Sequence, residues 1–237
     1  MTIDMKELDV LKRKVVRGEI SRRGFLKGLS AMGLAMSSAG IYMSGASAAG
    51  KSGGVVRIGL DSTIRNFDYH TVGSLADSWA PSQIFRGLSD LDPETLRLVP
   101  EQAESWESND DFTVWTYRIR KGIRYTNGTE VTAGDVKACT ERVSDEESGA
   151  FYTKFFTGIE SIDVVDSHTV RFTMSDAHPR MPSLTFTHIN CLMSPDTFAD
   201  ANTNPIGSGP YKLKEHIPGE VTILERNEDY WETGLPL

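Results

Sequence analysis

From Val55 onward the chain is built of short apolar runs separated by Gly, Pro, Asn and Asp, and most runs have a readable period. Val55–Leu60 (VVRIGL) is β-branched with apolar alternation and predicts a first strand. The next stretch to Ser74 has no period and predicts a long loop. Leu75, Trp79, Ile84 and Leu88 fall near helical spacing, with Pro81 as an interruption. Two apolar runs joined by Asp92-Pro93-Glu94-Thr95 predict a hairpin around a type I turn. Phe112–Ile119 alternates as a strand, a second run lies around Ile123–Tyr125, and Asn127-Gly128 predicts a tight turn. Thr132 opens a capping pattern for a helix across Asp135–Val143. Further strands are expected at Ile159–Val165, Thr169–Met174, Tyr211–His216 and Val221–Arg226, and a short helix from Ser194-Pro195. The pattern is mixed α/β with much strand, and no internal repeat interrupts it.

The first fifty residues have a different pattern. A charged lead, Met1–Ile20, is followed by SRRGFLK (Ser21–Lys27) and then by an uncharged stretch, Gly28–Ala49. Ala46-Ser47-Ala48 completes the layout of an export signal, with the cut expected after Ala48, or after Ala49 as the alternative. Fifteen of the 22 residues from Gly28 to Ala49 are Gly, Ser or Ala, which is too weakly apolar for the usual spanning helix. Arg22 and Arg23 match the twin-arginine pattern, whose translocase carries folded proteins. The expected organisation is therefore a signal over 1–48 and one exported domain portion over 49–237.

Removing the signal sharpens the charge. Residues 1–49 carry eight of the 25 basic and four of the 33 acidic residues, which leaves 17 basic against 29 acidic in the rest. So acidic a product argues against nucleic acid as a partner. No Cys lies near the cut, so a soluble periplasmic product is expected rather than a lipid-anchored one. Cys139 and Cys191 permit one disulfide in an oxidising compartment, and spacing alone does not decide whether they pair.

The candidate chemistry is sparse. Gly45–Ser52 fits the phosphate-loop pattern G-x-x-x-x-G-K-[ST], but it straddles the expected cut and lacks the required strand and helix, so it is read as an accident of small residues. The five histidines and two cysteines show no short metal-ligand spacing, and no metal, cofactor or catalytic residue is expected. Gly207-Ser208-Gly209-Pro210 lacks the G-x-S-x-G nucleophile elbow and leads into an alternating strand, so it predicts a corner in the chain.

Four stretches together resemble the extracellular solute-binding proteins of family 5, the peptide-, nickel- and oligopeptide-binding receptors of ABC importers. They are Ile84–Trp106, the run Ala103–Val143, NPIGSGPYKL (Asn204–Leu213) and RNEDYW (Arg226–Trp231). Ala138-Cys139-Thr140 departs from the family, which has an aromatic and small residues there. The resemblance implies a type II periplasmic-binding-protein lobe and, since family members are about twice as long, an N-terminal half whose second lobe is missing. It implies a monomeric receptor that closes two lobes around a peptide or other small solute and delivers it to an ABC permease without bond chemistry. It also implies that the loop after the first strand lines the cleft, which makes Tyr69, His70, Thr71 and Ser74 the expected ligand-facing residues. The alternatives are a twin-arginine-exported metalloenzyme, which needs a ligand cluster, and a membrane-anchored interaction module that keeps residues 1–49.

Overall fold

A four-stranded antiparallel sheet with one helix laid against it is the largest sheet in the computed structural model, which describes residues 54–60 and 62–232. The expected signal over 1–48, Arg22 and Arg23, the cut at Ala48 or Ala49 and the Gly45–Ser52 pattern lie outside the described residues. The elements that follow belong to one compact unit, Ile58–Thr233.

Two short helices, α1 (Leu75–Ser78) and α2 (Pro81–Ile84), stand where one interrupted helix is expected, and Pro81 starts the second. Strands β1 (Ser89–Leu91) and β2 (Leu98–Pro100) form the expected hairpin. Its turn is held by Asp92 Oδ1, which accepts from the amides of Glu94 and Thr95 at 3.0 and 2.6 Å. The main sheet runs in the order β3 (Ala103–Ser108), β4 (Val114–Ile119), β6 (Thr169–Met174), β5 (Ile159–Asp166). Alternation decides its inner face: Trp115, Tyr117 and Ile119 of β4 are buried with Val170, Phe172 and Met174 of β6.

Helix α3 (Ala133–Ser144) supplies the covering layer through a stripe of Ala133, Val136, Cys139, Thr140 and Val143. A full capping box fixes its start: the Asp135 amide donates to Thr132 Oγ1 and the Thr132 amide to Asp135 Oδ2. A short helix α4 (Met181–Leu184), a 3-10 turn at Pro195–Thr197, and a hairpin of β7 (Tyr211–Ile217) and β8 (Val221–Arg226) complete the unit.

Three expectations are corrected. Val55–Leu60 is not a strand, because a β-branched run is a propensity and nothing among the described residues pairs with its backbone. The strand expected from Phe112 begins at Val114, since Phe112 takes a left-handed φ of 55° and belongs to the turn. The run at Ile123–Tyr125 forms only an isolated bridge, Arg124 to Glu130, around the Asn127-Gly128 turn. Strand β3 is missing from the sequence reading altogether. It is an edge strand, so its Glu and Ser positions need no apolar partner.

Candidate functional site

The loop expected to face a ligand is tied down at both ends by side chains. At its start the Arg65 amide donates to Asp77 Oδ1 at 2.7 Å and the Phe67 amide to Asn202 Oδ1 at 2.9 Å. At its end Ser74 caps α1, accepting from the Asp77 amide at 3.1 Å while its hydroxyl donates to Asp77 Oδ2 at 2.7 Å. These bonds and the Arg65 contact hold the Asp77 carboxyl below its ordinary range against a desolvation that pushes the other way. In between, Asn66 and Asp68 form a side-chain turn, and the Thr71 hydroxyl donates to the Asp68 carbonyl at 3.0 Å.

The four expected site residues therefore lie together in one loop, but they do not all face outward. Tyr69 and His70 are buried. The Tyr69 hydroxyl meets Nδ1 of the exposed His188, and burial raises its pKa. His70 Nε2 lies 2.9 Å from the Cys191 carbonyl and Nδ1 lies 3.1 Å from an Arg142 nitrogen. Thr71 and Ser74 are half-buried, with their hydroxyls engaged locally. Tyr69 and His70 thus shape the loop from within, which their residue types alone did not reveal.

One residue that sequence reasoning missed, Phe151, adjoins this loop. The Phe151 amide donates to the His70 carbonyl at 2.9 Å, and the Phe151 ring lies so close over Gly73 that a Cβ there would collide with it. Phe151 is 58% exposed and Phe155 56%, and Tyr152 bridges them with ring centroids 5.0 and 5.8 Å away. The three rings form an exposed aromatic cluster beside the loop, and the sequence GAFYTKFF carries its signal in aromatic density.

A separate cavity of about 660 Å³ lies at the far end of β4. Its charges are mixed, with Arg118, Arg120 and Lys121 alongside Glu104 and Asp166, and Trp231 closes one side beneath Arg120. Among the described residues no group of three or more His, Cys, Asp or Glu could hold a metal ion, and no helix is long and apolar enough to cross a membrane.

Residues 97–237 match the family described as bacterial extracellular solute-binding proteins, family 5, middle region. The chain belongs to this family. It is 30% identical over 197 residues to the periplasmic oligopeptide-binding protein OppA of Salmonella typhimurium, covering 73% of this chain and 36% of that protein. Haemophilus influenzae OppA, solved in complex with RPPGFSPFR, superposes with a TM-score of 0.66 at 28% identity, over 72% of this chain and 37% of that one. The binding protein MoaA of A. tumefaciens R10, solved with mannopinic acid, gives 0.67 at 26% identity, over 72% and 36%. This family 5 chain thus spans little more than a third of the relatives it matches, and its fold is part of a type II periplasmic-binding-protein lobe.

Within this family 5 fold the Gly207-Ser208-Gly209 corner is a joint. A Cβ on Gly207 would collide with the Ile84 carbonyl, and one on Gly209 would lie 2.5 Å from the Gln83 carbonyl. Ser208 is buried and donates to Gln102 Oε1 at 3.0 Å, which leaves no accessible nucleophile. The Gly209 amide donates to the Ile84 carbonyl and the Asn227 side chain to the Gly209 carbonyl, so the corner fastens β7 and β8 to α2.

Proposed function

We propose that this chain is part of the periplasmic substrate-binding component of an ABC importer for peptides or a related solute. Family membership over residues 97–237, joined to the likeness to oligopeptide-binding relatives, carries the reading. Residues 1–48 act as a twin-arginine export signal led by Arg22 and Arg23 and removed after Ala48 or Ala49, and 49–237 belong to the N-terminal portion of the solute-binding domain. The partners are the twin-arginine translocase during export and an ABC permease afterwards, with the receptor acting as a monomer.

The solute is held between two lobes, and closure presents a form that the permease distinguishes through contacts made only in that state. No bond is made or broken. On this side of the ligand the wall is the Tyr69–Ser74 loop with the exposed Phe151 ring beside it. Tyr69 and His70 act from within by fixing the loop's shape, while Thr71 and Ser74 form its half-exposed rim. Solved relatives hold a peptide in one case and mannopinic acid in another, so the peptide assignment rests on the OppA likeness.

Native and denaturing mass spectrometry of the protein from the periplasm of its source cells tests both parts. The expected result is a chain beginning at Ala49 or the residue after it, with a bound mass released on denaturation. A chain that is absent from the periplasm or retains Met1 there overturns the export part, and a chain that releases no mass on denaturation overturns the binding part.

A further inference from the structure

We propose that Arg142, on α3, is the positioning residue of the Tyr69–Ser74 loop and holds it in one ligand-ready shape through Asp68 and His70. The loop contains neither strand nor helix before α1, and its own bonds, Asp68 amide to Asn66 and Thr71 to the Asp68 carbonyl, join only near neighbours, so its seat on the rest of the fold depends on contacts from other elements. Arg142 reaches it with a two-pronged contact: Nη1 donates to Asp68 Oδ1 at 2.8 Å and Nη2 to Asp68 Oδ2 at 2.5 Å. Nη1 also lies 3.1 Å from His70 Nδ1 and 3.5 Å from the Met193 sulfur, and the guanidinium sits 4.8 Å from the centre of the Phe198 ring. The Asp68 and Arg142 side chains are 12% and 16% exposed, so water competes little for this contact.

The hydrogen-bond directions fix the state of His70. The Cys191 carbonyl can only accept, so Nε2 carries the proton, and Nδ1 is left to accept from Arg142. Only a neutral ring in one tautomer satisfies both neighbours. The charged groups facing it are Arg142 from α3 and Asp68 from its own loop, beside the Cys191 carbonyl. His70 then passes the constraint outward, because its carbonyl accepts from the Phe151 amide. Lysine could not reproduce this, since a single ammonium cannot grip both carboxylate oxygens in a planar fork and also reach Nδ1.

This inference rests on the loop lying at the ligand, and the experiment separates the two claims. Hydrogen exchange at the Thr71 and Phe151 amides is compared between the purified protein and Arg142→Lys at pH 7, with the amides of β4 and β6 as the folding control. The expected result is about tenfold or faster exchange at the loop amides, with the sheet unchanged. Lowering the pH to about 4 is expected to loosen the same amides in the unaltered protein, because a second proton on His70 faces the guanidinium. Loop amides that are unmoved, or that move only together with the sheet, overturn the proposal. The pair Asp68→Asn with Arg142→Met, which removes both charges, covers a single variant that fails to fold and is expected to show the same loosening. Calorimetry with the peptide RPPGFSPFR provides the second readout, with at least about tenfold weaker binding expected for Arg142→Lys. No binding by the unaltered protein counts against the peptide reading alone, since the exchange result still decides the role of Arg142.

Discussion

His70 shows what burial does to one side chain. Desolvation is the largest influence on it and lowers its pKa to about 4, reinforced by Arg142 and opposed by the Cys191 carbonyl and Asp68. The unfolded chain takes up the proton near pH 6.5, whereas the folded chain resists until near pH 4. Stability from this group is therefore complete above about pH 6.5, falls as the pH drops toward 4, and falls no further below that. The loss amounts to roughly 3 kcal/mol. Denaturant melts at pH 7 and pH 4.5 should show it, and His70→Gln should flatten that part of the profile. An equal fall in the variant would assign the pH dependence to other groups. None of this was legible in the sequence, where His70 is one polar residue in an aperiodic loop. Its partners sit 72 and 121 residues away.

At the scale of elements, legibility followed locality. The β1–β2 hairpin, α3 and the β7–β8 pair were readable because turn, cap and period all lie within a few neighbouring residues, as with Thr132 and Asp135. Val55–Leu60 has the propensity of a strand without becoming one, because a strand also needs a partner, which propensity does not supply. The corner at Gly207–Gly209 was rightly read as structural, although its reason, the close approach of α2, is visible only in three dimensions. That approach predicts a contrast between two substitutions. Gly209→Ala pushes a methyl group against the backbone of Gln83 and Ile84 and should cost more than about 2 kcal/mol in a urea melt. Gly122→Ala meets open space and should cost only about 1 kcal/mol, from its φ of 80°. Equal costs would mean that the corner yields more easily than its contacts imply.

Across the whole molecule, the family was legible because its motifs are spread over most of the chain, while the site was not, because side-chain direction decides it. The sulfurs make the same point. Cys139 and Cys191 are both free and buried, and Cys139 donates to the Met193 carbonyl at 3.3 Å. Burial pushes the Cys139 thiol up to about 12 and raises Cys191 well above its usual value, so neither forms a reactive thiolate near neutral pH. A disulfide-type thiol reagent at pH 8 should leave the native protein unmodified and label both residues in denaturant. Fast labelling of the native form, or a mass two hydrogens lighter, would show that the core opens.

The Arg142–Asp68 contact also has a consequence in time. Its partners are 74 residues apart, and the Cys191 carbonyl that orients His70 comes 121 residues after it. A ribosome adding about 5–20 residues per second makes Asp68 roughly 4–15 seconds before Arg142 exists to meet it. The loop at the candidate site is therefore among the first parts of the domain to be made and among the last to take its final form. Until then, the nascent chain holds an unpaired Asp68 and an undecided His70 in reserve.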